Sequence, residues 1–351
     1  MIMITKLHIE GYKSIKDQEI ELRPINILIG GNGIGKTNFI STFNLLRSIF
    51  EENLQDYVSK KGGVNTLLYM GKKQTSEIQI DMYFEKNGYQ NSFKINLEEA
   101  QDRLIAKYGH ARMYEQQWKD LPPQFINGKK VPTWLQILSS QFEVYHFHDA
   151  GDTSPMKAAS PLHDNLSLKS DGKNIAAFLY YLQQKHPKHF KRIEMNIQAV
   201  SPFFASFNLN PDRLNEEIIR LEWKQKGAED TYFNAYQLSD GTLRFICLAT
   251  LLLQPDPPQT IIIDEPELGL HPQAINRLAT LIKKASQKSQ IIISTQSVNL
   301  IDNFDTDDII AVDMKNNASN FRRLDKEKLS AWLDEYSTGE LWEKNLIGGQ
   351  P

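Results

Sequence analysis

The sequence has one cysteine, no long apolar run and almost no net charge. Its single thiol, Cys247, excludes an intrachain disulfide and is typical of a reducing compartment, so we expect a cytoplasmic protein. The longest apolar run, FICLATLLL, is far shorter than the roughly 18–20 residues needed to cross a bilayer, and the start MIMITKLHIE lacks the apolar core of a secretory signal. We therefore expect no membrane partner. A formal charge of −3 provides no overall basic surface, so any DNA contact would need a local patch.

Strand and helix patterns alternate at both ends of the chain, whereas hairpins and helices fill the middle. The pattern predicts a helix from Lys36 to about Phe50, a hairpin turning at Asn87-Gly88, and apolar strands in TIIID and QIIIS. We therefore predict an α/β nucleotide-binding core formed by residues 1–75 and 236–336, an inserted lobe of hairpins and helices at 76–235, and a tail at 337–351. An unstructured tail and a segment that docks on another subunit are both compatible with the last stretch.

The segment GGNGIGKT, Gly30 to Thr37, matches the phosphate-loop pattern G-x-x-x-x-G-K-[ST] between a buried strand and a helix. Glycines allow backbone N–H groups to converge on phosphate oxygens, and the helix start adds partial positive charge. Lys36 would reach the terminal phosphates, and the Thr37 hydroxyl would ligate Mg²⁺. The alternative is a glycine-rich turn with an unrelated lysine. The pattern favours ATP and Mg²⁺ as ligands.

Two acids end the apolar strand in IIIDEPE. Asp264 can hold magnesium, directly or through water, and Glu265 can act as general base toward the attacking water. The same pair before Pro266 could instead cap a helix. The order along the chain, phosphate loop first and strand-end acids later, favours catalysis.

Ser239 and Gly241 in QLSDGT precede an apolar helix and form a second predicted anion site. One nucleotide does not need two such sites from one chain. With the phosphate loop and the strand-end acids, this segment resembles the ABC-type ATPases of the RecF/SMC/OLD-like group, where the signature LSGGQ of one subunit closes on the ATP of the other. Here Ser239 and Gly241 match, whereas Asp240 and Thr242 depart and place an acid at the signature.

The resemblance implies an α/β fold: an ABC-type P-loop ATPase head with a mixed β-sheet, flanking helices, an antiparallel β subdomain and an inserted lobe. It also implies a homodimer that shares ATP between its subunits. In HIEGYKSIKD, it places Lys13 and Ser14 near the nucleotide, and in ELGLHP it places His271 at the dimer interface; His271 could equally cap a helix. The nucleotide-binding positions that it implies around the phosphate loop are Asn32, Gly33, Ile34, Gly35, Lys36, Thr37 and Asn38.

The polar cluster after the strand QIIIS contains Gln296 where ABC-type ATPases generally have histidine. Glutamine can donate to a γ-phosphate oxygen and accept from water, but it cannot become a cation. We therefore expect Gln296 to position the phosphate and the attacking water, and Glu265 to act alone as the general base.

In ABC-type ATPases of this group, a glutamine usually follows the phosphate-loop helix, and this sequence has no clear equivalent. His146, His148 and Asp149 in YHFHD are candidates for that role or for a metal cluster, and polar residues at a strand end are the simpler interpretation.

The sequence thus predicts an ATP-driven dimerising switch. It also resembles stand-alone ATPases of bacterial anti-phage and abortive-infection systems. No second acidic cluster of the nuclease type follows the core, so we expect a separate effector, a nuclease or Toprim-type protein. The alternatives are a DNA repair or recombination ATPase of the RecF type and, less favoured, a transporter ATP-binding subunit.

Overall fold

The computed structural model describes residues 3–86, 88–114, 117–120, 124–126, 129–131 and 142–349. The helices are α1 (Lys36–Phe50), α2 (Leu54–Lys60), α3 (Val64–Leu67), α4 (Ile175–Lys185), α5 (Pro187–Val200), α6 (Asp240–Leu253), α7 (Pro272–Ala285), α8 (Val298–Ile301), α9 (Lys326–Leu333) and α10 (Thr338–Glu343). The strands are β1 (Met3–Tyr12), β2 (Ile15–Glu21), β3 (Ile25–Ile29), β4 (Glu77–Lys86), β5 (Tyr89–Ala100), β6 (Arg103–Tyr114), β7 (Gln117–Asp120), β8 (Gln124–Ile126), β9 (Lys129–Val131), β10 (Phe142–Tyr145), β11 (Ser160–Pro161), β12 (Phe204–Phe207), β13 (Ile218–Ile219), β14 (Glu222–Gln225), β15 (Ala228–Asn234), β16 (Thr260–Asp264), β17 (Gln290–Thr295), β18 (Ile309–Lys315) and β19 (Ala318–Arg323).

The chain divides into two compact units. The phosphate-loop unit comprises Met1–Val144, Pro258–Ile262 and Ser289–Pro351, and the signature unit comprises Tyr145–Pro257 and Ile263–Lys288. The sequence-based boundary at residue 75 falls inside the phosphate-loop unit, because β4 pairs with β1 in one antiparallel sheet. The contacts therefore group the first part of the predicted lobe with the core, and the predicted core and lobe limits stay a prediction.

The phosphate-loop unit contains an antiparallel sheet of order β2-β1-β4-β5-β6-β7 and a mixed sheet of order β10-β16-β17-β3-β18-β19. In the mixed sheet, β3 runs parallel to β17 and β18, and β19 returns antiparallel to β18. Every residue of β17 is buried, as expected for a near-continuous apolar run in a parallel strand. The predicted mixed sheet, antiparallel subdomain and flanking helices are confirmed.

Helix α1 has the predicted bounds and presents apolar residues at the spacing of one helix face. Phe39 and Phe43 are fully buried, and Phe43 meets Phe142 of β10 edge to face, with the ring centroids 5.5 Å apart. This packing fixes α1 against the core of its own unit and thereby fixes the loop that precedes it.

The signature unit contains helices α4 to α7 and two small antiparallel sheets, β11-β13 and β12-β14-β15. Helix α6 is buried from Leu243 onward apart from Arg244. Cys247 on α6 is fully buried, its Sγ lies 3.3 Å from Met156 Sδ, and burial raises the pKa of the thiol. Cys247 is therefore core packing, as its place in an apolar helix predicted.

Residues 337–349 are folded, so the expectation of an unstructured tail is wrong for them. Ser337 caps α10 in a reciprocal capping box with Glu340. Leu341, Trp342 and Ile347 are buried within the phosphate-loop unit. Among the residues given above, no helix is long and apolar enough to span a membrane.

Candidate nucleotide-binding site

The phosphate loop connects β3 to α1. Gly33 and Gly35 have φ angles of +78° and +112°, a region that residues with a Cβ rarely adopt. A Cβ built on Gly33 would meet no atom within 4 Å, so the space beside this part of the loop is open. The two glycines are needed for backbone conformation, as the motif predicted.

Lys36 folds back over the loop. Its ammonium donates to the carbonyl oxygens of Gly30, at 2.5 Å, and Gly31, at 2.7 Å. The residue is buried, whereas Thr37 at the next position is exposed. A buried ammonium on backbone carbonyls, an exposed hydroxyl and open space at Gly33 fit a nucleotide triphosphate with Mg²⁺: phosphate oxygens can replace the carbonyls, and Thr37 offers the oxygen ligand that Mg²⁺ prefers.

Gln296 lies against the phosphate loop. Its Nε2 donates to Asn32 Oδ1 at 2.9 Å, across 264 positions of sequence. Thr295 ends β17, which pairs with β3, and this register brings the ends of both strands to one edge of the sheet. The structure thus brings together Gln296 and the phosphate loop, while the catalytic role of Gln296 stays a prediction.

Lys13 and Ser14, the pair that the resemblance places near the nucleotide, lie against helix α1. Lys13 has a φ of +50°, and its ammonium donates to Ser41 Oγ at 2.8 Å. Burial, reinforced by the charge of Lys61, lowers the pKa of Lys13 to about 8. The Ser14 hydroxyl accepts from Asn38 Nδ2 at 2.7 Å, which ties it to the first turn of α1. Both residues contact α1, and their contact with nucleotide stays a prediction.

In the signature unit, Asp264 and Glu265 follow the apolar part of β16, and both are partly buried. Glu265 has a φ of +41°, which is strained for a residue with a Cβ. Backbone strain of this kind costs about 1–3 kcal/mol and concentrates at functional sites. The local geometry is consistent with the predicted base role of Glu265, and the roles of both acids stay a prediction.

Ser239 caps α6: its Oγ accepts from the Thr242 N–H at 3.2 Å. Gly241 follows in the first turn, and a Cβ there would lie 2.3 Å from the carbonyl oxygen of Gly269. A glycine is therefore needed at this position within its own unit, because any side chain would overlap the ELGL turn. Gly241, which the sequence predicts to bind nucleotide, is thus also required for packing within its unit.

The acid of the signature has a counterion. Lys157 Nζ lies 3.6 Å from Asp240 Oδ1, and the lysine is buried while the aspartate is exposed. The charge that Asp240 adds at the signature is therefore offset within the same unit. Nothing in the spacing of the sequence indicated Lys157, which lies in the polar loop before α4.

His271 is the N-cap of α7, and its Nδ1 accepts from the Gln273 N–H at 3.4 Å. The residue is exposed. The capping interpretation is confirmed, and the dimer-interface role of His271 stays a prediction.

Arg244 belongs to none of the sequence motifs, although a single charged residue in an apolar helix indicates a specific partner. Its guanidinium donates to the Phe147, His148 and Leu268 carbonyls at 2.5–3.1 Å. It thereby joins the YHFHD segment to the ELGL turn, within the signature unit. The YHFHD residues themselves form no metal cluster: within the described ranges, no group of three or more His, Cys, Asp or Glu side chains could hold an ion. Whether His146, His148 or Asp149 replaces the usual glutamine stays a prediction.

A mixed sheet with a glycine phosphate loop after β3, a capped helix α6 and an antiparallel subdomain define the fold of an ABC-type P-loop ATPase head. The chain belongs to the AAA_21 family, described as "AAA domain, putative AbiEii toxin, Type IV TA system", whose model matches residues 25–302.

Among curated proteins, the chain is similar to the energy-coupling factor transporter ATP-binding protein EcfA2 of Streptococcus agalactiae serotype Ia, with 24% identity over 202 residues, 57% of this chain and 63% of that protein. EcfA2 of Streptococcus pyogenes serotype M3 is 25% identical over 204 residues, again 57% and 63% of the two chains. The chain thus spans less than two thirds of the length of these curated relatives.

Among solved structures, it is similar to the Smc head domain with an extended coiled coil bound to the C-terminal domain of ScpA from Pyrococcus furiosus. The TM-score is 0.62 at 17% identity, with 95% of this chain and 99% of that chain covered. The Smc head domain with a coiled coil and joint from Pyrococcus yayanosii has a TM-score of 0.59 at 15% identity, with 95% and 99% covered. These likenesses establish the fold.

Proposed function

We propose that this protein binds and hydrolyses ATP as a dimerising switch. The observation that carries the proposal is the phosphate loop, in which Lys36 lies over the Gly30 and Gly31 carbonyls beside open space at Gly33. In the proposed cycle, Lys36 binds the terminal phosphates, Glu265 takes a proton from the attacking water, and Gln296 orients that water. Mg²⁺, held by Thr37 and Asp264, would neutralise charge on the phosphates. Ser239 and Gly241 of a second copy would complete the site.

The biological role that we propose is the ATPase component of an anti-phage defence system that acts with a separate effector nuclease. The family description, which refers to a toxin of a toxin–antitoxin system, supports a defence role over DNA repair. The similarity to transporter ATP-binding proteins supports the alternative of a transporter subunit. Isolation of the native complex separates these: a nuclease or Toprim-type partner supports defence, and a membrane permease supports transport.

The test of the enzymatic proposal is ATP turnover by the purified chain with Mg²⁺. Glu265→Gln should bind ATP but turn it over at least about 100-fold more slowly and accumulate as a dimer, because loss of a general base costs about 10²–10⁴-fold. The matched control is Glu217→Gln, an exposed acid of the same unit. Unchanged turnover in Glu265→Gln would assign the base role to another residue.

Gln296→Ala separates positioning from binding. We expect slower hydrolysis with ATP affinity within about fivefold of the wild type, since a hydrogen bond between neutral groups contributes about 1 kcal/mol. Normal hydrolysis by this variant would reduce Gln296 to a structural partner of Asn32.

A further inference from the structure

The phosphate loop is held at both ends by residues far away in the sequence. At its entry, the Gly31 N–H donates to the Gly349 carbonyl at 2.8 Å. At its exit, the Ser319 hydroxyl donates to the Ile34 carbonyl at 2.6 Å. All four residues belong to the phosphate-loop unit. The loop is therefore supported from outside the motif that defines it.

The entry support depends on two glycines and an acid. The Gly349 N–H donates to Asp313 Oδ1 at 2.5 Å. Gly348 and Gly349 have φ angles of +76° and +81°, and a Cβ on Gly348 would lie 2.8 Å from Asp313 Oδ2. The pair of glycines thus lets the chain turn tightly under Asp313 and direct one carbonyl at Gly31.

This turn is anchored by the folded tail before it. Arg322 Nη2 donates to the Ile347 carbonyl at 2.7 Å, and the Gly339 N–H donates to Asp302 Oδ1 at 2.7 Å. The Ile347 side chain is buried. Because these contacts fix residues 339–347, they also fix the position from which the Gly349 carbonyl accepts the Gly31 N–H.

The exit support is a chain of hydrogen bonds. Asn38 Nδ2 lies 2.7 Å from Ser14 Oγ, which lies 2.7 Å from Ser319 Oγ. Ser14 Oγ accepts from both Asn38 and Ser319, and because a hydroxyl carries one proton, Ser319 shares its proton between Ser14 and the Ile34 carbonyl. Ser319 is buried, and a Cβ on Gly35 would lie 2.0 Å from its Oγ. The serine occupies the space that the motif glycine leaves.

Both supports originate in one hairpin, β18–β19. Asp313 on β18 pairs with Asn320, and Ser319 on β19 pairs with Met314, so the two supporting residues lie in neighbouring pairs of the hairpin. We propose that Asp313 and Ser319 are positioning residues for ATP binding: they fix the phosphate-loop backbone so that its N–H groups converge before the nucleotide arrives. The proposal rests on the proposed ATP site. Preorganised groups bind more tightly because less ordering remains to be done on binding.

The test measures ATP affinity by calorimetry and steady-state KM and kcat. Ser319→Ala and Asp313→Ala should raise Kd and KM about three- to tenfold and leave kcat within about twofold, as expected for one lost hydrogen bond that precedes chemistry. Asp313→Asn keeps an acceptor oxygen and should restore near-native affinity. The matched control is Ser48→Ala, which removes a buried hydroxyl that donates to Leu45 on α1 at 2.7 Å.

Hydrogen exchange adds a direct readout: the Gly31 amide should exchange faster in Asp313→Ala than in Asp313→Asn. Native ATP affinity in Ser319→Ala and Asp313→Ala, together with strongly weakened binding in Lys36→Ala, would overturn this proposal alone. Native binding in Lys36→Ala would overturn the ATP site itself. If Asp313→Ala does not fold, the smaller change Ser319→Ala tests the proposal by itself. An ATP affinity of Ser319→Ala equal to that of the control Ser48→Ala would then contradict the proposal.

Discussion

Helices α1 and α6 both begin at a turn that contains glycine, but their first turns are built in opposite ways. Helix α1 follows Gly35, which has no side chain to cap the helix, and its first turn contains no acid. Helix α6 follows Ser239, whose hydroxyl accepts from a first-turn N–H, and Asp240 lies beside it. The start of α1 can therefore receive an external anion, whereas α6 already carries its own cap and its own anion.

The difference teaches that two helix starts with similar sequence features need not be equivalent sites. The start of α1 suits tight phosphate binding in the single chain. At the start of α6, where Lys157 offsets Asp240, we expect a weaker contact, formed in the proposed dimer when a second copy approaches. Four experiments test this contrast.

The largest effect is expected at α1. Lys36→Ala should weaken ATP binding about 100-fold, because a hydrogen bond from a charged donor contributes about 1.5–3 kcal/mol and this one lies in a buried position. Titration with a fluorescent ATP analogue measures the change. Lys60→Ala, an exposed lysine on α2, is the control. Native affinity in Lys36→Ala would mean that α1 is no more an anion site than α6.

Substitution of Gly241 and of Gly33 by alanine should destabilise the protein for different reasons. Gly241→Ala should lower the free energy of unfolding by about 1–3 kcal/mol, because its Cβ would overlap the Gly269 carbonyl. Gly33→Ala has open space and should cost about 1–2 kcal/mol through its positive φ alone. Only Gly33→Ala should also weaken ATP binding to the single chain, because Gly241 is proposed to meet the ATP of a second copy. Chemical denaturation and nucleotide titration at concentrations where the chain is monomeric measure both effects, and weakened binding in Gly241→Ala under those conditions would contradict the contrast.

The charge pair at α6 should set how readily two copies associate. Asp240→Asn leaves Lys157 as the net charge at the signature, so ATP-dependent dimerisation should strengthen about three- to tenfold, since one charge near phosphate contributes about 1 kcal/mol in a partly exposed site. Sedimentation of the Glu265→Gln background with ATP measures this, with Glu216→Gln, an exposed acid, as control. Weaker dimerisation would show that Asp240 itself supports the contact.

The smallest effect concerns pH. The pKa of Lys13 is about 8, below its ordinary value, and a nearby phosphate would raise it again on binding. ATP affinity should then be highest below pH 8 and should fall a few-fold as the pH rises through 8 and the cation is lost. Calorimetry between pH 7 and 9 measures this slope. Lys13→Gln should remove it, and an unchanged slope would place Lys13 away from the phosphates.

The motifs predicted the local parts of the site because each depends on neighbours in sequence. GGNGIGKT identified the loop and the start of α1, and IIIDEPE identified the end of β16, since strand, turn and helix signals coincide there. The mixed sheet and the antiparallel subdomain followed from the resemblance to the RecF/SMC-like group and are present.

The supporting residues could not be predicted in this way. Ser319 contacts Ile34 across 285 positions, and no short pattern marks a serine in an edge hairpin as a partner of the phosphate loop. The tail illustrates the same limit: its Gly-Gly resembled a loose end, but the turn closes on Gly31 because Asp313 accepts its N–H. Long-range register, which the strand pairing sets, decided both positions.

The position of Gly349 also affects how the protein can be handled. Proteolytic cleavage between Ile347 and Gly349 would separate the carbonyl that accepts from Gly31 from the anchored residues before it. Such trimming during purification should therefore weaken nucleotide binding while leaving the phosphate-loop motif intact.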